Sequence, residues 1–158
     1  MVVRQVPLAG VVVALAVVGL PACGEGAKTS SGQLPPAQNE NLQRTGVYIR
    51  GLRKADAAFE HPQSPNLTNA TQLSRTALAE VIALTPPPQF HVAHEKLLTA
   101  LRAQGAVYRE LEAGQRAHNA GAINNAEAKN AHVAVALRAA LAEIDTELER
   151  CKQDHWTC

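Results

Sequence analysis

From Ile123 to Cys151 the chain repeats one pattern. Ile123, Ala126, Asn130, Val133, Leu137, Leu141, Ile144, Leu148 and Cys151 recur at three- and four-residue spacing, with charges on the opposite face. That spacing gathers them on one stripe of an α-helix and would scatter them over both faces of a strand. A stripe this long has to be covered by another element, which commits the chain to helix-on-helix packing. No segment alternates with period two and none carries a hairpin signal.

Prolines divide what precedes it. Pro62 and Pro65 stop one periodic stretch, and Pro86-Pro87-Pro88 stop the next, because proline lacks the amide proton and clashes with the preceding turn. The first predicted helix runs from about Gln38 to Phe59, with Leu42, Thr45, Ile49, Leu52, Asp56 and Phe59 on its inner face. Asn66 is placed to cap a second, whose stripe is Leu67, Ala70, Leu73, Ala77, Val81 and Leu84. Pro88 suits the first turn of a third, with the stripe Phe90, His94, Leu97, Leu101, Gly105 and Tyr108, flanked by Leu98 and Leu111. Gly114 and the stretch Asn119-Ala120-Gly121 mark the turn into the fourth. Four amphipathic helices with short connections predict an all-α domain, an antiparallel four-helix bundle in up-down-up-down order over residues 38–158.

The first residues belong to a different pattern. Arg4 and the amino terminus precede an apolar run from Leu8 to Leu20, and the composition turns polar after Cys23. As a helix that run spans roughly 20 Å, short of the roughly 30 Å hydrocarbon core, so it reads as an export signal more than as a transmembrane helix. Leu20-Pro21-Ala22-Cys23 closes it. This stretch resembles the bacterial lipoprotein signal family in Leu20, Ala22 and Cys23, and departs from it at Pro21, where that family usually has Ala, Ser, Thr or Val. The resemblance covers residues 1–23 and implies cleavage after residue 22. It also implies a diacylglycerol thioether and a further acyl chain on Cys23, and a protein tethered to the extracytoplasmic side of a membrane. More than one acyl chain is what stable anchoring requires. The alternative is ordinary signal-peptidase cleavage after Gly24, since Ala22 and Gly24 form a small-x-small pair. Residues 23–37, rich in Gly, Ser and Pro, read as a flexible linker.

Charge and composition exclude several functions. Lys and Arg number 15 against 14 Asp and Glu, and setting Arg4 aside removes the excess. A neutral balance does not suit a nucleic-acid binder. Aromatic residues are 3% of the chain, which disfavours a site that grips flat organic ligands or stacks on sugars. No Glu is followed three residues later by His, so the paired ligands of carboxylate-bridged di-iron bundles are missing. There is no haem attachment motif, phosphate loop or nucleophile elbow. No cofactor and no catalytic residue is therefore expected.

Two constellations remain. With Cys23 lipidated, Cys151 and Cys158 are an even pair in an exported chain, which reads as a disulfide worth roughly 2–3 kcal/mol for so short a loop. In an up-down bundle the start of the third helix lies beside the end of the fourth, which places His91, His94, Cys151, Asp154, His155 and Cys158 at one end. His91, His94 and His155 are the candidates for a zinc or copper site. Against that, a histidine inside an apolar stripe is more often a hydrogen-bonded core residue, and an oxidised cysteine pair offers no thiolate. The leading expectation is a non-enzymatic, lipid-anchored module that contacts another envelope protein or serves a structural role. The metal-binding protein is the alternative.

Overall fold

The computed structural model describes residues 35–60 and 67–154, with side chains in the first segment described as far as residue 56. The expected leader, Cys23 and the expected linker as far as residue 34 lie outside the described residues, as do residues 61–66, His155 and Cys158, and the last two residues assigned to that linker, 36 and 37, belong to α1. The described chain is an all-α helical bundle: α1 (Pro36–Glu60), α2 (Leu67–Ile82), α3 (His91–Arg116) and α4 (Ala120–Gln153), with a short 3₁₀ turn at Pro88–Phe90 leading into α3. No described helix is long and apolar enough to cross a membrane.

The helix ends follow local chemistry. Pro36 opens α1 in a first-turn position, where its missing N–H costs nothing. Pro88 nucleates the 3₁₀ turn, and the Phe90 amide donates to the Pro87 carbonyl at 2.9 Å. The reversal between α3 and α4 differs from expectation. Gly114 lies inside α3 and is buried, and the chain turns three residues later without a glycine. His118 takes the left-handed conformation (φ 49°). The His118 amide donates to the Gln115 carbonyl and the Asn119 amide to the Gly114 carbonyl, the paired bonds of a Schellman cap. Asn119 then caps α4, its Oδ1 accepting from the Ala122 amide at 3.0 Å.

Contacts between helices set their directions. Lys96 pairs with Glu143 and Glu110 with Lys129, so α3 and α4 run antiparallel. Lys54 pairs with Glu80 while Gly51 faces Leu84, so α1 and α2 do too. Thr71 meets Glu112 and Ser74 meets Gln104, which makes α2 and α3 antiparallel. The ion pairs are exposed and each contributes little, ~0–1 kcal/mol. The backbones of α3 and α4 pack most closely of all, and those of α2 with α3 and α1 with α2 follow. Small buried residues permit the closest approach: Ala93 and Ala100 on α3 face a bundle interior that also holds Ala126, Ala134 and Ala140 of α4.

One core cluster spans all four helices, with Tyr48, Ile49 and Leu52 of α1, Val81 of α2, Leu97 and Leu101 of α3, and Leu137, Ile144 and Leu148 of α4. A smaller one joins Leu67, Val107, Leu111 and Ala126 nearer the α3–α4 turn. The expected stripe of α2 is rotated. Thr71 and Ser74 are buried, whereas Ala70 and Leu73 are only half-buried. The rotation is tolerated because both hydroxyls find partners. Thr71 Oγ1 lies 2.6 Å from Glu112 Oε1 and 3.0 Å from the Leu67 carbonyl, and Ser74 Oγ donates to Gln104 Oε1 at 3.5 Å. A paired hydroxyl is buried at small cost, an unpaired one at roughly 1–3 kcal/mol.

Candidate functional site

The groups with most chemical potential lie where α3 begins and α4 ends. The 3₁₀ turn sends Phe90 fully into the core, 0% exposed, and one helical turn later His94 is 4% exposed. Tyr48 reaches them from α1. Its ring centroid lies 5.3 Å from that of Phe90, in a tilted packing, and 5.7 Å from that of His94. The Tyr48 hydroxyl and His94 Nδ1 are 3.2 Å apart. Beside them Gln89 bridges two more helices, its Nε2 donating to Thr45 Oγ1 at 3.5 Å and towards Cys151 Sγ at 3.6 Å. Thr45 and Cys151 are both buried.

Burial governs the titration of this cluster. It pushes the Tyr48 phenol above its ordinary range and the His94 imidazole below. Glu95 partly offsets the effect on His94, and His91 adds to it. At neutral pH the pair is therefore an uncharged phenol bonded to an uncharged imidazole. It is a hydrogen bond buried in the core.

The other expected site residues separate. His91 is exposed, one turn before His94, and its side chain does not share the buried cluster. His155 and Cys158 lie outside the described residues. Among the described residues no group of three or more His, Cys, Asp or Glu could hold a metal ion. His94 is 4% exposed and its Nδ1 is engaged by Tyr48, so a metal would have to reach its other nitrogen inside the core. Zinc or copper added to the oxidised protein should leave its melting temperature unchanged. A bound metal at a hundred times its dissociation constant would add about 2.7 kcal/mol, a rise of several degrees in thermal melts. A stoichiometric rise that disappears in a His91→Ala, His94→Leu double variant would reverse this expectation.

Tyr48 was not among the residues expected inside. Its signal was present: Thr45, Tyr48, Ile49, Leu52, Ala55 and Asp56 are all buried and follow the broad three-four stripe of a core-facing helix. A phenol beside an already sufficient stripe is easily assigned to the surface. Its partner on α3 is 46 residues away and leaves no mark in the local pattern. A second polar seam, between α2 and α3, extends from Ser74 and Gln104 to the Tyr108 hydroxyl, which Gln104 Nε2 approaches at 3.4 Å. Its groups pair with each other across the helix interface.

Comparison with known proteins adds no assignment: no protein-family model, curated protein or solved structure matches the chain.

Proposed function

We propose that the chain is an extracytoplasmic lipoprotein whose helical bundle acts by contact, without turnover, as an interaction or structural module of a bacterial cell envelope. One observation carries this reading: Leu20-Pro21-Ala22-Cys23 closing an apolar run behind Arg4. Supporting it is the way the buried polar groups of the bundle are engaged. Tyr48 pairs with His94, Thr71 with Glu112 and Ser74 with Gln104. Such pairing rigidifies the core and specifies helix register. The membrane lipid would be held through acylated Cys23, and the partner would be another envelope protein.

Metabolic labelling with a fatty acid tests the anchor. Wild-type protein should take up label and sediment with membranes. Cys23→Ala should take up none and either appear in the soluble exported fraction or persist as unprocessed precursor. An unlabelled wild-type protein would refute the lipoprotein reading and favour cleavage after Gly24. Chemical crosslinking in intact membranes, followed by capture of the protein, then names the partner.

The export reading extends to the tail, where we infer that Cys151 pairs with Cys158. Cys151 is fully buried at the end of α4, and the other cysteines, Cys23 and Cys158, lie outside the described residues. Cys158 is the cysteine nearest in sequence, and the bond would hold the end of the chain against the basal cluster. Both residues should resist alkylation until the protein is reduced and unfolded. Labelling of both in unreduced denatured protein would show that the bond does not form.

A further inference from the structure

We infer that the Tyr48–His94 hydrogen bond is an acid-sensitive latch that holds α1 against the α3–α4 hairpin, so that acidification opens α1 while α3 and α4 stay folded together.

The inference rests first on how α1 is attached. Its backbone packs on α2, whereas α3 and α4 share the most extensive backbone contact of the described helices. Two polar side-chain bonds run from α1 to the start of the hairpin, Gln89 with Thr45 and His94 with Tyr48. The first is long, 3.5 Å. The second is buried at both ends, with Tyr48 1% and His94 4% exposed.

It rests next on what a proton does there. In the neutral pair one nitrogen of His94 can accept the Tyr48 hydroxyl proton. Once protonated, the imidazolium has only donors. The bond must reverse, the phenol proton must find another acceptor, and a full charge sits in the core. Little nearby compensates. On α3, Glu95 favours the charged ring and His91, one turn earlier, opposes it. From α1 the facing titratable group is Tyr48, which burial keeps neutral throughout the acid range. α4 contributes Ile144, Leu148 and Cys151 to the adjoining core, and α2 contributes Val81 and Leu78. The aliphatic side chains among these carry no charge, and Cys151 is fully buried in the same cluster.

The sign follows from the depressed affinity of His94 for protons. The open state, with an ordinary imidazole, takes up the proton more readily than the closed one. Opening is therefore favoured as pH falls through the ordinary histidine value, and the latch is fully made only above it. Proton linkage makes the open fraction rise between roughly pH 7.5 and pH 5.5, with about ten-fold as the ceiling for an ordinary imidazole in the open state.

Amide hydrogen exchange on the intact protein, corrected for the intrinsic effect of pH on exchange chemistry, reads this directly. Amides of residues 40–56 should lose protection by up to about ten-fold on acidification, while those of residues 97–111 and 134–148 keep theirs. In His94→Leu the acid-dependent loss should vanish. In Tyr48→Phe, α1 should already be less protected at neutral pH and still respond to acid. Equal protection of α1 at both pH values would overturn the proposal, as would parallel loss in all four helices or a pH response that survives in His94→Leu. Should His94→Leu fail to fold, the wild-type imidazole can be followed by NMR. The His94 ring and the α1 amides should then shift with one common midpoint below the ordinary histidine value, and a ring that titrates while α1 stays unmoved would refute the latch.

Discussion

Phe90→Ala should destabilise the protein by about 3–5 kcal/mol, the range for truncating a fully buried aromatic ring. Phe90 is 0% exposed and lies on the 3₁₀ turn that aims the start of α3 into the bundle. Its ring packs against Tyr48, and it belongs to the cluster that joins all four helices. Collapse into the space is hindered by the tilted Tyr48 ring, which is also held by its bond to His94. A single domain has only about 5–15 kcal/mol of net stability, so this one change removes a large part of it. Denaturant unfolding should show a lower midpoint with an unchanged slope, since the surface exposed on unfolding hardly alters. A loss under about 1 kcal/mol would mean that the ring does not occupy this position.

Gly114→Val should cost about 1–3 kcal/mol, although valine forms helix no worse than glycine. The reason is the approach of α4. A Cβ at position 114 would lie 3.0 Å from Ile123 Cγ1 and 3.3 Å from the Ile123 amide nitrogen. The second contact is backbone, so relief requires α4 to move away from α3 next to the Schellman cap, where the Gly114 carbonyl accepts from Asn119. A solvent-exposed glycine in the same helix would be stabilised by such a change. Thermal melting of Gly114→Val beside a surface control at Ala113 separates the two cases. A Gly114→Val protein at least as stable as wild type would show that the helices do not meet there.

The contrast at Gly114 shows where a linear reading stops. Glycine and Asn119-Ala120-Gly121 pointed to a turn, and a turn does lie close by. The glycine, however, serves packing inside α3, and the left-handed position of the reversal is taken by His118. Glycine has two uses, conformational freedom and lack of bulk, and the local sequence cannot say which is needed. Histidine is among the non-glycine residues that enter the left-handed region most readily, but a nearby glycine is the stronger local signal and drew the turn to itself. Likewise the α2 stripe was drawn through Leu73, yet Ser74 is buried instead, because Gln104 and the small Gly105 of α3 receive it. His94 was expected inside as a core histidine, and the partner that makes this possible, Tyr48, was not foreseen.

Apolar spacing and proline placement, both local properties, determined the class, the number of helices and their ends to within a few residues. A 3.6-residue period and a missing amide proton act within one turn of the chain, so they can be read without knowing the fold. The proposed export signal and lipid anchor at Cys23 are read from adjacent residues in the same way. Tertiary structure decided the rotation of α2, the close approach at Gly114, the separation of exposed His91 from buried His94, and the bond from Tyr48 to His94. Each depends on what another helix presents at that height. A polar side chain is buried only where a partner meets it, and that partner is dozens of residues away along the chain.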